Sequence, residues 1–264
     1  MDKIISKDGT QIACDKIGQG PAIVLVDGAF CYRNYGVAPN LVPLLSSFFT
    51  VYSYDRRGRG ESTDTKPYSV GREIEDLEAI VEATKESPFV CGFSSGAALL
   101  LQSVCKGLPV KRIALFEPPY TVVNSEDISP PEDAAIKLAS LADQGRKSEA
   151  VKYFMTRIMG MPGIMVFLFK LFGKSLWKRN ESVANTLSYD VAIMGNYSVP
   201  KNIVGSINVP TLVIGGEKSP HNIRNAIKAV AESIPQSEIR LLKGQSHHVS
   251  MKVLAPCLID FFNN

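Results

Sequence analysis

Short β-branched runs alternate with helically periodic segments along the first third of this chain, and glycine-rich turns separate them. That rhythm constrains the fold more than any other feature. A strand, a crossover helix and a second strand pack as parallel neighbours of one sheet. The run Ala22-Ile23-Val24-Leu25-Val26 is continuous and apolar and stops at Asp27-Gly28, the pattern of a strand buried on both faces. Residues 50–54, 88–91 and 112–116 repeat it. Ile74, Leu77, Ile80 and Val81 share one face of a helix predicted over 70–84, and an Ala/Leu helix follows over 97–105. Residues 4–5 and 11–15 flank the turn Lys7-Asp8-Gly9-Thr10, which predicts a β-hairpin. After residue 120 the rhythm lapses into predicted helices, clearest over 133–143, 147–159 and 163–172. It resumes with a strand at 211–214, a helix at 222–234, a strand at 239–242 and a C-terminal helix from Val253. One α/β domain, with core 1–120 and 205–264 and a helical insertion over 121–204, accounts for the 264 residues.

Within that frame one motif carries chemistry. Gly92-Phe93-Ser94-Ser95-Gly96 stands between a predicted strand and a predicted helix. A turn that sharp brings backbone against backbone, which flanking glycines tolerate. Ser94 is then presented at the carboxyl edge of the sheet, above a helix amino terminus, where open α/β sheets bind ligands. The plainer reading is a glycine-rich turn without chemistry. The strand before it and the helix after it favour a nucleophile, with the Ser95 N–H as half of an oxyanion hole.

Together with residues 23–29 (IVLVDGA), 54–62 (YDRRGRGES) and 244–249 (GQSHHV), this elbow resembles the α/β-hydrolase superfamily in its esterase, lactonase and haloperoxidase-like branch. The resemblance spans nearly the whole chain. It implies an α/β-hydrolase fold, a mostly parallel sheet flanked by helices, with the insertion as a helical cap. It implies a catalytic histidine about three residues after Gly244, which selects His247 over His248. It also places the second oxyanion donor on the N–H of Ala29, with Phe30 the near alternative.

Two departures from the family pattern bear on mechanism. Asp27 stands where the family usually has histidine; it reads either as a loop carboxylate accepting backbone N–H bonds or as a pocket carboxylate that changes ligand tolerance. The family's usual triad acid follows the strand at 211–214, and here that position is Ser219, which cannot stabilise an imidazolium as a carboxylate does. Some members carry the acid after the preceding core strand, and that position is Glu117. The order Ser94, Glu117, His247 still fits. Glu217 is the runner-up.

The remaining features are weaker. The arginines of 55–62 (DRRGRGES) read as a structural turn, with recognition of a substrate carboxylate as the minor alternative. From Arg157 to Arg179 there are five basic residues and no acidic one, interleaved with Met, Phe and Trp. That stretch reads as a lid with its apolar face on the core, as a Met-lined acyl pocket, or as a transient anionic-membrane contact. A net charge of +3 is no nucleic-acid footprint. Five scattered cysteines without a CxxC pair suggest neither a disulfide framework nor a zinc site. Cys31 reads as a bystander. The start, MDKIISKDGTQIACDK, lacks an apolar core of signal-peptide length, so the expected location is cytoplasmic.

The expectation is therefore a serine hydrolase of a small ester, thioester or lactone, working through Ser94, His247 and Glu117 without cofactor or metal. Its partner is a small molecule with an apolar acyl group, with no nucleic acid and no stable membrane association. Two alternatives stand beside it: a non-hydrolytic small-molecule binding protein, and a C–C hydrolase or cofactor-free perhydrolase on the same fold.

Overall fold

The computed structural model describes residues 1–122 and 130–264. The N-terminal hairpin is present as β1 (Asp2–Ile5) and β2 (Gln11–Ile17), and β2 pairs antiparallel with β4 (Thr50–Tyr54). From there the sheet is parallel through β3 (Ala22–Val26), β5 (Phe89–Phe93), β6 (Arg112–Phe116), β7 (Thr211–Gly216) and β8 (Ser237–Leu242). The spatial order is β1-β2-β4-β3-β5-β6-β7-β8. It reverses direction between β3 and β5, a topological switch point of the kind that opens a crevice at the carboxyl edge. The central strands β3 and β5 are buried at every position, as their unbroken apolar runs require.

Helices cover both faces. On one lie α1 (Ala38–Leu45) and α11 (Met251–Asn263), packed through Leu41, Leu45, Leu254 and Leu258 onto Ile23, Cys91 and Ile214. On the other lie α2 (Val70–Thr84), α3 (Ser95–Cys105) and α10 (His221–Glu232), which share a larger core with the insertion. One crossover helix escapes a periodicity reading. Helix α1 is APNLVPLL, whose Pro39 suits a first helical turn but whose Pro43 removes an interior N–H.

Between β6 and β7 every described element is helical. These are α4 (Ala134–Asp143), α5 (Lys147–Tyr153) running into a π-helical turn over Phe154–Ile158, α6 (Gly163–Phe172), α7 (Lys174–Ser182), a 3₁₀ turn over Ala184–Thr186, α8 (Leu187–Met194) and α9 (Lys201–Val204). The predicted single helix 147–159 thus changes pitch at Phe154. Helix α8 has no apolar stripe because nearly all of it is buried. The Thr121 N–H donates to Tyr197 O at 2.7 Å and joins the two ends of the insertion. Residues 123–129 of the expected 121–204 segment lie outside the described residues. The expected lid packing is only half realised. Val166 and Trp177 turn inward, while most apolar side chains of α6 face solvent.

Candidate active site

Register aligns the site. Phe93 pairs with Phe116 and Phe116 with Ile214, so Ser94 and Glu117 are the first residues beyond neighbouring strand ends at the carboxyl edge. The Ser94 N–H donates to Phe116 O at 2.9 Å, tying the two ends together. Ser94 sits at φ 52° and ψ −124°, Glu117 at φ 45° and Phe30 at φ 64°. Strained left-handed backbone at non-glycine residues costs about 1–3 kcal/mol each and persists where the surroundings enforce it. Here the enforcement is steric. A Cβ on Gly92 would lie 2.6 Å from the Ala97 Cα, and one on Gly96 would lie 2.3 Å from Val26 O. Helix α3 therefore begins against the end of β3, and only glycine at both positions admits it. Within residues 88–101 Ser94 alone is not buried.

The structure brings Glu117 and His247 together. His247 follows β8 on the loop before α11, and its Nδ1 lies 2.7 Å from Glu117 Oε2. The Glu117 side chain is fully buried, whereas that of His247 is 40% exposed. The other carboxylate oxygen, Oε1, accepts the Gly216 N–H at 2.8 Å and the Ser219 hydroxyl. Burial alone would push the Glu117 carboxyl up. Hydrogen bonds from His247, Gly216 and Ser219 outweigh it and hold the group below the usual glutamate range. Glu217 is exposed and turns elsewhere, its Oε2 accepting the Gly244 N–H at 3.0 Å. His248 is exposed with its ring 6.0 Å from that of His247, and His221 begins α10 beside Asn225.

The loop after β3 carries Ala29 and Phe30. The Gly28 carbonyl accepts Arg59 Nη1 at 2.6 Å. In a trans peptide the C=O and the following N–H point in opposite directions, so this bond also aims the Ala29 N–H. That N–H donates to no group among the described residues. The Ser95 N–H is the first of helix α3 and has no intrahelical acceptor.

Arg59 belongs to a buried charge network that sequence reading placed in structure without its partners. Its Nη2 lies 2.7 Å from Asp190 Oδ2, and Arg56 Nη1 lies 2.8 Å from Asp190 Oδ1. Ser95 Oγ donates to the same Oδ1 at 2.8 Å. Arg56 forks onto Glu73 at 2.7 and 2.9 Å, and Arg57 onto Asp76 at 2.7 Å through both nitrogens. All three arginines are committed to carboxylates inside the protein, and none is left for a substrate carboxylate. Asp190 comes from α8 of the insertion. Burial would raise its carboxyl, but Arg59 and Arg56 draw it below the ordinary aspartate range. No motif marked Asp190; its partners lie about 130 positions away and only the fold joins them.

Asp27 is buried, with Oδ1 lacking a partner among the described residues. Burial pushes its carboxyl up to about 7 against the pull of the Val37 N–H, Arg59 and Arg56. Burial likewise raises the Cys31 thiol, so the thiolate is disfavoured at neutral pH. Among the described residues no cluster of His, Cys, Asp and Glu has the arrangement of a metal site.

Residues 23–253 match the model of a family described as the alpha/beta hydrolase family. An alpha/beta hydrolase from Sphaerobacter thermophilus DSM 20745 superposes with a TM-score of 0.91 at 44% identity, over 99% of this chain and 100% of that one. Two more distant structures share the fold. An esterase from Exiguobacterium antarcticum gives a TM-score of 0.75 at 19% identity, over 99% of both chains. The 2-hydroxy-6-oxo-6-phenylhexa-2,4-dienoate hydrolase from Rhodococcus sp. strain RHA1 gives 0.72 at 19%, over 100% of this chain and 99% of that one.

Proposed function

This chain belongs to the alpha/beta hydrolase family, and from that premise we propose that it cleaves a small ester, thioester or lactone through Ser94, His247 and Glu117. The observation that carries this reading is the 2.7 Å contact between His247 Nδ1 and a fully buried, hydrogen-bonded Glu117 carboxylate. A carboxylate on Nδ1 fixes the tautomer that leaves Nε2 free as a base and stabilises the imidazolium that forms.

The reaction runs in two halves. Ser94 Oγ attacks the acyl carbonyl while His247 takes its proton, and the carbonyl electrons move onto oxygen. The Ala29 and Ser95 N–H groups hold that oxyanion. Collapse expels the alcohol, thiol or ring oxygen, protonated by His247, and leaves Ser94 acylated. Water, deprotonated by the same histidine, then attacks the acyl carbonyl; collapse breaks the bond to Ser94 Oγ, which takes the proton back from His247, and the acid leaves. The helical insertion serves as a cap over this edge, and its Phe154 ring packs edge-on against Phe30 at 5.2 Å. An apolar acyl group suits such a lining.

Stopped turnover of a short p-nitrophenyl ester in both Ser94→Ala and His247→Ala supports this mechanism. Full activity in either variant refutes it. Labelling of wild-type Ser94 by a fluorophosphonate separates an activated serine from a non-hydrolytic binding protein.

A further inference from the structure

Helix α6, GIMVFLFKLF, is an amphipathic element turned the wrong way for a soluble core. Val166 is its one fully buried side chain, whereas Ile164, Met165, Phe167, Leu168, Leu171 and Phe172 are exposed, Phe172 by 80%. At about 100° per residue these six fill a continuous arc of about 160°, along roughly 12 Å of helix, with no polar residue in it. Lone exposed apolar residues are ordinary, but a contiguous face of this width marks an interaction surface.

Charge identifies the occupant. Arg157, Lys170, Lys174, Lys178 and Arg179 are the only ionisable side chains of residues 157–179, and all are basic. Lys170, Lys174 and Lys178 line one groove with Phe167 and Leu171, the only carboxylate there being Glu181, which accepts the Trp177 indole N–H at 2.8 Å. A second copy of this chain docked on the face would bring like charges together. An anionic bilayer meets both properties, since its headgroups attract lysine and its acyl boundary accepts Phe and Leu.

We propose that the α6 face is a peripheral docking surface for an anionic membrane. The segment is far too short to span one, and among the described residues no helix is long and apolar enough to do so. Docking is a property of this face alone and does not depend on the triad.

The test is co-sedimentation of the full chain with phosphatidylcholine vesicles, with and without phosphatidylglycerol. Anionic lipid is expected to raise binding roughly tenfold or more, and added salt to reverse it. Lys174→Glu with Lys178→Glu, and separately Phe167→Ser with Phe172→Ser, are each expected to lower binding roughly tenfold or more at unchanged melting temperature, because the substituted positions are exposed. Ser94→Ala is expected to bind as wild type, which separates docking from catalysis. Equal binding to both vesicle types overturns the proposal, as does binding indifferent to both double variants. A concentration-dependent dimer dispersed by the Phe167/Phe172 variant also overturns it and assigns the face to self-association.

Discussion

The Ser219 hydroxyl donates to Oε1 of Glu117, the carboxylate whose Oε2 lies 2.7 Å from His247 Nδ1. Ser219 stands where relatives of this fold usually place the acid itself. In the proposed mechanism the acid is instead Glu117, one strand along the sheet edge at the end of β6, and Ser219 is its hydrogen-bond donor.

Removing that donor is expected to destabilise the protein in a pH-dependent way. The Glu117 carboxyl lies below its ordinary value in the fold, so its contribution is present above the unfolded value and lost as pH falls through the folded one. Ser219→Ala raises the folded value toward the ordinary one and leaves a buried charge with one bond fewer. A deficit of about 1.5–3 kcal/mol is expected at pH 7. Melting temperatures of the two proteins should converge as pH drops below the glutamate range. A deficit independent of pH would assign Ser219 to packing alone.

Arg59 is expected to act on turnover through the oxyanion loop. Its two terminal nitrogens hold Gly28 O and Asp190 at once, which a lysine ammonium cannot reproduce in that geometry. Arg59→Lys should lower kcat by roughly 10²-fold, as losing one oxyanion donor does, with KM changed little. A change confined to KM would contradict the positioning role. Asp190→Ala leaves the buried Arg59 guanidinium without a carboxylate, while Arg56 keeps Glu73, and is expected to cost about 3–5 kcal/mol in stability, read from denaturant unfolding.

Asp27 is expected to penalise the fold at high pH. Its folded value is raised to about 7, so from about pH 4 to 7 the native state keeps a proton that the unfolded chain has released. Stability therefore falls with rising pH across that window and levels off above it. Asp27→Asn keeps an acceptor for the Val37 N–H and removes the penalty. Its gain in melting temperature should be largest at pH 8 and vanish near pH 4. A constant gain would mean that the carboxyl does not titrate there.

How much of this was legible in the sequence follows from the range of each interaction. Strands β3 and β5 and the Gly92–Gly96 elbow are local patterns, and a reader of the chain finds them. Helix α1 was hidden by Pro39 and Pro43, and α8 by being buried on nearly every face, which erases periodicity. Glu117 was reachable only through chain order and a missing aspartate; its contact with His247, which follows β8, needs the pairing of β6, β7 and β8. Asp190 carried no signal, because a lone aspartate in an insertion says nothing of arginines brought near it by folding. The apolar residues of α6 predicted a face, but only packing shows that the face points outward.

The identity of the acid is the point on which the mechanism turns. The decisive measurement is kcat/KM for a short p-nitrophenyl ester in Glu117→Gln and Glu217→Gln, each with its melting temperature recorded. Glu117→Gln is expected to lose roughly 10⁴-fold, the effect of replacing a triad carboxylate by its amide, while Glu217→Gln stays within about threefold of wild type. Near-wild-type activity in folded Glu117→Gln, with the large loss in Glu217→Gln instead, would contradict the account.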